Sequence, residues 1–232
     1  MIGLEVPRWL DALVGMQIGA GIFLGGFALL GWFILHVGGP SVDRAKAQLA
    51  REQADAGRHG WLPGADPDGT LATAGYRCFG HHGDLRRIMV SEHLGRRIRM
   101  ADFLYVKREK LPSTSTNHLI AIELPVRLPD LVVSLDDLFD PMYRFDAESA
   151  AFNDKYFVAC DDQRFCSAMV HPRMMEWLLA HELSFRISGN LLVTYSPTPW
   201  TLRQAFATLP VLSGIADLIP RFVLEDFGQA IR

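Results

Sequence analysis

The chain has 232 residues, of which 49% are hydrophobic and 21% are charged, and its formal net charge at pH 7 is −3. A slightly acidic chain gives no support to nucleic-acid binding, so we expect no nucleic-acid partner. The sequence contains no Walker loop and no GxGxxG, GxSxG or HExxH motif. It therefore assigns no catalytic residue and no cofactor.

The N-terminal region contains a long segment without charge. No Asp, Glu, Lys or Arg occurs from Ala12 to Val42. As a helix, its roughly 31 residues would reach about 46 Å, which exceeds the roughly 30 Å of bilayer hydrocarbon. The segment is too long for the core of a signal peptide, and the start of the chain is not basic. We predict an N-terminal tail at 1–12 and a retained single-pass helix in the cell membrane at 13–38, with the lipid bilayer as a partner.

Basic residues near the two ends of this segment predict its orientation. The N-terminal flank carries only Arg8 and the α-amine. The C-terminal flank carries Arg44, Lys46, Arg51 and Arg58. The domain that follows the membrane segment is therefore predicted to be cytoplasmic.

The predicted membrane helix is rich in glycine. At about 100° per residue, Gly15, Gly19 and Gly26 fall on one face, and Gly21 and Gly25 fall on a second face. Small residues spaced in this way let another helix approach closely. Glycine is also common in membrane helices that have no such contact. The pattern predicts self-association or packing against a membrane-protein partner.

Residues 39–75 are predicted to form a charged helical stalk and a linker. The stretch from Asp43 to Ala56 is rich in alanine and charge and has few apolar residues, as is typical of a solvated helix. The stretch from Gly57 to Gly75 contains Pro63 and Pro67 among several glycines. This composition predicts an irregular linker.

Residues 76–227 are predicted to form one soluble domain, followed by a short tail at 228–232. Its first half contains short runs with β character, which predict an antiparallel sheet. The predicted strands are Tyr76–Phe79, Arg86–Glu92, Arg97–Val106, His118–Leu124 and Leu131–Leu135. The arginines on these strands are interleaved with acidic residues, which favours a solvated face. They are Arg86, Arg87, Arg96, Arg97 and Arg99.

The second half of the domain is predicted to contain a strand, two short helices, a hairpin and a final helix. A strand at Phe157–Cys160 precedes a short helix that Asp161 or Asp162 can cap, and Pro172 can begin the next helix. A hairpin is predicted over Leu183–Tyr195, with its turn at Gly189-Asn190. An apolar helix from Trp200 is predicted to break near Pro210 and Pro220 and to pack on the sheet, on the membrane surface or in a partner's groove. The fold class is thus α+β, with an N-terminal transmembrane helix, a mainly antiparallel sheet and C-terminal helices.

Two loose groups of possible metal ligands occur. The groups are Cys78 with His81 and His82, and Cys160 with Cys166 and His171. Neither group matches a recurring zinc spacing, so no metal site is assigned, and Cys78, His81 and His82 are kept as candidates only. Because three cysteines cannot all pair within one monomer, we predict that all of them are reduced.

Several segments resemble the C-terminal half of a group of uncharacterised single-pass membrane proteins from actinobacteria. They are FNDKYFVACDDQRFCSAMVHPRMMEWLLA at Phe152–Ala180, the LSFRISGNLLVTYSP that soon follows, and LIAIELPVRLPDLVVS at Leu119–Ser134. The resemblance covers about Tyr76 to Asp226. It implies a strand, two short helices, a hairpin and a final helix in an envelope-associated protein, and it implies no functional residue.

The absence of a reactive group of residues leaves enzyme activity uncertain and favours a noncatalytic role. We predict an interaction protein that serves as a scaffold, accessory subunit or assembly factor of a larger membrane complex. Two alternatives stay open at this point. One is a lipid-binding envelope protein, and the other is a membrane-tethered enzyme or metal sensor that uses the Cys and His residues.

Overall fold

The computed structural model describes residues 56–107, 113–135 and 143–231. These residues form an antiparallel sheet with helices gathered toward the C-terminal end, which confirms the α+β class. The predicted membrane helix at 13–38, with its glycine faces, lies outside the described residues. Among the helices within the described ranges, none is both long enough and apolar enough to cross a membrane.

Within the described residues the sheet has seven strands, all paired antiparallel. The strands are β1 (Leu62–Pro63), β2 (Gly83–His93), β3 (Arg96–Lys107), β4 (Ser113–Ser134), β5 (Tyr143–Arg144), β6 (Phe157–Cys160) and β7 (Phe185–Ser196). The helices are α1 (Thr70–Phe79), α2 (Ala150–Asn153), α3 (Gln163–Met169), α4 (Pro172–His181), α5 (Leu202–Leu218) and α6 (Arg221–Asp226). The strand order is β1-β2-β3-β4-β6-β5, and β7 pairs with β4.

The structure corrects the prediction for the segment before β2. The stretch predicted as an irregular linker contains β1 and the first turns of α1, and the strand predicted at Tyr76–Phe79 is the end of α1. The Asp66 carboxylate accepts hydrogen bonds from the backbone N–H groups of Leu71 (3.0 Å) and Ala72 (2.9 Å), so it satisfies donors that the first helical turn leaves free. Gly80, at φ 67°, ends the helix. The buried residues Leu71, Ala74 and Gly75 are spaced as on one side of a helix, and this spacing, rather than the β-type residues near Tyr76, decides the local structure.

Strands β2 and β3 confirm the predictions for Arg86–Glu92 and Arg97–Val106. Their connection is a two-residue turn at Leu94 and Gly95, where both residues have positive φ, 52° and 74°. Two successive positive φ values are the geometry of the tight hairpin turns that match the twist of antiparallel strands. The side chain of Leu94 is 71% exposed at this tip.

Strands β4 and β7 change direction together. The hydroxyl of Thr194 donates to the carbonyl of Ser184 at 2.8 Å, although ten residues of straight strand would separate these groups by about 33 Å. The chain therefore reverses near Gly189, which has φ 60°, but the predicted hairpin is wrong, because the described strand pairings do not join its two arms to each other. Its two arms belong to one strand, β7, and each arm pairs with β4.

Strand β4 takes the longer path around this reversal. The pairs Glu123↔Leu191 and Leu128↔Gly189 show five residue steps of β4 facing two steps of β7. The extra residues include Pro125, which cannot donate to a ladder and is tolerated where pairing is interrupted. The two strands predicted on either side of the proline turns are thus parts of a single strand, β4, in which the register shifts.

The predicted helix boundaries in the second half are largely confirmed. The Asp162 carboxylate caps α3, and Pro172 is the first residue of α4. Helix α5 continues through Pro210, contrary to the predicted break, because the lost hydrogen bond falls on the exposed side of the helix. The break near Pro220 is confirmed, since α5 ends at Leu218 and α6 starts at Arg221.

The core lies on both faces of the sheet. The larger cluster packs helices α2 to α6 on one face, and its largest buried side chains include Trp61, Phe152 and Phe165. The smaller cluster packs α1 on the other face, around Leu71 and Phe103. On its buried side, α5 contributes core residues, as the core-packing alternative predicts. They are Ala205, Leu209, Leu212 and Ile215.

Candidate functional site

The three metal candidates from the sequence do not converge. Cys78 is half-buried in the last turn of α1. The ring of His81 stacks on Tyr105 with a centroid distance of 5.2 Å, and the ring of His82 stacks on Tyr76 at 4.4 Å. Within the described ranges, no group of three Cys, His, Asp or Glu side chains is placed to hold a metal ion. The two imidazoles instead extend an aromatic cluster at the end of α1.

The second loose group is structural as well. Cys160 and Cys166 form a disulfide across a Cα separation of 6.3 Å, so the prediction of three reduced cysteines is wrong. Among the described cysteines, Cys78 belongs to no disulfide. The turn from β6 into α3 brings the two cysteines together. His171 caps α4, because its Nδ1 accepts the backbone N–H of Met174 at 3.4 Å, and its Nε2 lies 3.0 Å from the carbonyl of Leu218.

An ionic network centred on Arg99 joins the loop before α1 to strands β3 and β4. The guanidinium lies 3.0 Å from Asp66 and 2.5 Å from Glu123, and it donates to the hydroxyl of Thr70 at 3.3 Å. A further carboxylate, that of Asp68, lies at 3.5 Å. Since the Arg99 side chain is only 5% exposed, the predicted solvated arginine face is wrong at this position.

Opposite charges in this network stabilise the ionised form of one another. Burial by itself lowers the pKa of Arg99, but the hydrogen bonds and charges of Glu123 and Asp68 together outweigh burial and raise that pKa. Burial would likewise raise the pKa of Asp68, yet the Thr70 hydroxyl and the Arg99 charge hold it below its ordinary value. Arg99 thus stays cationic and occupies the centre of the acidic group. The network fixes α1 on the sheet.

A second polar cluster lies on the opposite face of the sheet, around His118. Its Nδ1 is 2.6 Å from a carboxylate oxygen of Asp102, and Arg87 pairs with the other oxygen. His118 is 6% exposed, and its backbone carbonyl accepts the indole N–H of Trp200 at 3.0 Å. Arg87 itself has φ 50°, a left-handed conformation unusual for its side chain. Through Arg87, Asp102 and His118 this cluster connects strands β2, β3 and β4, and Trp200 adds the segment that leads into α5.

The strand register adds a serine to this row. His118 pairs with Asp102 on one side and with Ser196 on the other, so the three side chains share a face of the sheet. The Ser196 hydroxyl contacts the Thr198 hydroxyl at 3.0 Å and accepts the Thr198 backbone N–H at 3.1 Å. Within the described chain no hydrogen bond joins this hydroxyl to His118. Asp102 can therefore orient the imidazole of His118, but the hydroxyl of Ser196 is engaged with Thr198.

Sequence reasoning missed both clusters. Arg99 and Asp102 belong to strand residues that alternate with apolar ones, a pattern that also fits a solvated face. His118 was recognised only as the start of a strand. The available signal was the length of the predicted strand at Arg97–Val106, because a long strand covered by helices on both faces buries its polar residues too. The register that pairs Asp102 with His118 could not be read from one sequence.

The outer side of the first turns of α5 exposes Arg203, Gln204, Phe206, Ala207 and Pro210. Phe206 is 40% exposed. The ring of His59 lies 5.6 Å from the ring of Phe206, so the start of the described chain runs beside this surface.

The chain matches no protein-family model, and no curated protein sequence matches it. Its fold has a solved counterpart. The crystal structure of the mycobacterial trehalose monomycolate transport factor A, TtfA, is similar with a TM-score of 0.54 and 14% sequence identity. The similarity covers 79% of this chain and 97% of the TtfA chain. At this identity the comparison concerns the fold, and it places the described α+β architecture among structures already known.

Proposed function

We propose that this chain is a noncatalytic, single-pass membrane-anchored accessory factor of a machinery that transports trehalose monomycolate or a related glycolipid. The observation that carries the proposal is the charge-free segment from Ala12 to Val42, joined to a domain with the TtfA fold. The fold similarity spans 97% of the TtfA chain, which supports a likeness of more than a small common substructure.

A noncatalytic role fits the chemistry of the described polar clusters. Arg99 is neutralised by the carboxylates around it, and Asp102 holds both His118 and Arg87. The Ser196 hydroxyl is bonded to Thr198. Each group has a partner within the fold, which is the usual arrangement of buried polar residues with structural roles. The enzyme and metal-sensor alternatives gain no specific observation in their favour.

We propose further that the domain faces the cytoplasm, as the excess of basic residues after the membrane segment indicates. The Cys160–Cys166 disulfide is a signal against this side, because disulfides persist mainly in oxidising compartments. Both cysteines are at most 1% exposed, however, so soluble reductants have little access to the bond. We therefore give the charge count more weight. Protease digestion of the C-terminus in intact cells would overturn this orientation, and digestion only in inverted membrane vesicles would support it.

Transport is tested by removing the gene and measuring trehalose monomycolate in the inner and outer envelope fractions. The proposal expects the glycolipid to accumulate in the inner fraction, and expects the full chain to restore its distribution. A chain lacking residues 2–38 should accumulate in the soluble fraction and fail to complement, because it lacks the proposed anchor. An unchanged glycolipid distribution in the deletion strain would refute the transport role.

Partner binding is tested by purification in mild detergent with quantitative mass spectrometry. Gly19→Leu and Gly26→Leu would block close approach on one glycine face, so we expect loss of copurifying membrane proteins or of self-association. Gly31→Leu is the matched control, because this glycine lies about 120° or more from that face at 100° per residue. A protein that stays monomeric and enriches no partner would count against an accessory role.

A further inference from the structure

Three buried polar atoms near α5 have no hydrogen-bond partner in the part of the chain that the structure describes. They are the indole Nε1 of Trp61, the imidazole Nε2 of His93 and the hydroxyl oxygen of Ser213. Trp61 and Ser213 are each only 1% exposed, so bulk water reaches neither side chain. Buried polar groups in folded proteins are nearly always hydrogen-bonded to protein or to an internal water, because an unpaired one is destabilising. The three atoms therefore indicate a bound partner.

Trp61 and His93 lie on the same face of the sheet. Strand β1 pairs antiparallel with β2, and the hydroxyl of Ser91 donates to the carbonyl of Gly60 at 3.0 Å, so the register places Trp61 opposite Ser91. Ser91 and His93 are two residues apart on β2, so their side chains point to one face. Trp61 packs in the larger core cluster with Met89, which belongs to the same row. The indole and the imidazole are thus diagonal neighbours, a separation that an aromatic side chain spans.

Two contacts tie α5 to this corner of the sheet. The ring of Phe206 lies 5.6 Å from the ring of His59, and the carboxylate of Asp217 pairs with Arg96 at 2.6 Å. Steps of seven and four residues place Phe206, Ser213 and Asp217 on one side of the helix. At about 1.5 Å of rise per residue, Ser213 lies about 10 Å along the axis from the first contact and about 6 Å from the second.

The same contacts bring the three unpartnered atoms together. His59 precedes Trp61 by two residues, and Arg96 is the strand partner of His93. The side of α5 that carries Ser213 therefore runs from the Trp61 end of this corner to the His93 end. Because the Ser213 side chain is buried, its hydroxyl is enclosed between the helix and the sheet, where the indole and the imidazole also lie.

We propose that one internal water molecule binds between Trp61, His93 and Ser213. The indole N–H only donates, so its partner must accept, whereas the hydroxyl and the imidazole nitrogen can each donate or accept. Water does both, and a buried water typically makes about three hydrogen bonds to otherwise unpaired groups. A metal cation does not fit, because it cannot accept the indole N–H. An anion would lack a counter-charge, since Arg96 is already paired with Asp217.

This water site links β1, β2 and α5, which belong to distant parts of the chain. It lies inside the described domain, so it does not rest on the proposed transport role or on the proposed membrane anchor. Its test can therefore fail without affecting either of them.

The test uses the full chain in mild detergent, with isotope-labelled tryptophan side chains. Rotating-frame cross-relaxation detects transfer from water to each indole N–H, and its sign separates a bound water from hydrogen exchange. The Trp61 signal is the one that disappears in Trp61→Phe. We expect transfer from water at Trp61, and we expect it to persist in Ser213→Ala, because the water keeps the indole and the imidazole as partners. Absence of transfer overturns the site. Transfer that is lost in Ser213→Ala came from the serine hydroxyl itself and also overturns the site.

Thermal unfolding gives a second measurement that needs no assignment of signals. Ser213→Ala removes the hydroxyl with little change of shape, and Ser167→Ala, at an exposed position of α3, is the matched control for this exchange within a helix. Loss of one buried hydrogen bond should make Ser213→Ala melt roughly 2–4 °C below Ser167→Ala. If the hydroxyl were dry and unpaired, its removal would relieve the cost of burying it. Ser213→Ala would then melt as high as the control or higher, and that result overturns the proposal.

Discussion

Replacing Arg99 with methionine tests whether the buried ionic network fixes α1 on the sheet. Methionine keeps an unbranched apolar side chain at this position but removes the charge and every hydrogen bond that the guanidinium donates. The carboxylates of Asp66, 6% exposed, and Glu123, 21% exposed, then lose their common counter-charge. The substitution therefore leaves unpaired charge inside the fold rather than only removing a contact.

The expected cost follows from what each carboxylate retains. Removing one partner of a buried ion pair typically destabilises a protein by about 3–5 kcal/mol. Asp66 keeps its two backbone N–H donors from α1, and Glu123 is exposed enough to recruit water, so we expect the lower end, about 3 kcal/mol. For a domain of this size about 1 kcal/mol corresponds to a shift in Tm of roughly 2–4 °C, so the variant should melt roughly 6–12 °C lower.

Thermal unfolding of the full chain in mild detergent, followed by tryptophan fluorescence, measures this shift. Arg97→Met is the matched control, because Arg97 lies two residues earlier on β3 and pairs with the same Glu123, but at 3.7 Å and with a side chain 55% exposed. An exposed pair of this kind contributes about 0–1 kcal/mol. If the two variants melt within about 2 °C of each other, burial of the Arg99 network does not stabilise the fold as argued.

Three further predictions concern packing, ionisation and thiol chemistry. In denaturant titration, Gly214→Ala should destabilise the folded domain by about 1–3 kcal/mol, because the added Cβ would come within 2.2 Å of the Trp177 ring. Gly57→Ala, with open space around it, should have almost no effect, and equal effects of the two variants would contradict the packing argument. Burial raises the pKa of Tyr156 to about 12, so the free energy of unfolding should fall as the pH rises from about 10 toward 12. Tyr156→Phe should remove the contribution of this ionisation, and a variant with the same pH profile as the natural chain would contradict the prediction. Alkylation of the unreduced, denatured chain should modify Cys78 alone and all three cysteines after reduction, and three adducts without reductant would refute the disulfide.

Local signals made parts of the fold predictable. The Asp162 side chain caps a helix, and the fixed φ of Pro172 suits a first helical residue. Both effects depend only on neighbouring residues, and α3 and α4 begin at these positions. Helix α1 was missed because the residue that caps it, Asp66, stands among prolines and glycines typical of a loop. The apolar spacing inside the helix was too short to outweigh the β-type residues around Tyr76.

The polar clusters depend on tertiary pairing, which one sequence does not contain. Arg99 has the same alternating neighbours as an exposed strand arginine, and only the packing of α1 over β3 buries it. The contact between Asp102 and His118 requires the β3–β4 register. The disulfide depends in the same way on the turn between β6 and α3, which brings Cys160 and Cys166 together.

The shared reversal of β4 and β7 also constrains the order of folding. Ser196 pairs with His118 from roughly 80 residues further along the chain, so one edge of β4 stays without a partner until β7 has been synthesised. Pairings between such distant segments form slowly, and an unpaired apolar strand is prone to associate with other chains in the interval. A domain tethered to a membrane would spend that interval at high local concentration beside its neighbours. Slow closure of this strand pair is therefore the step at which we expect chaperone dependence and temperature-sensitive variants to concentrate.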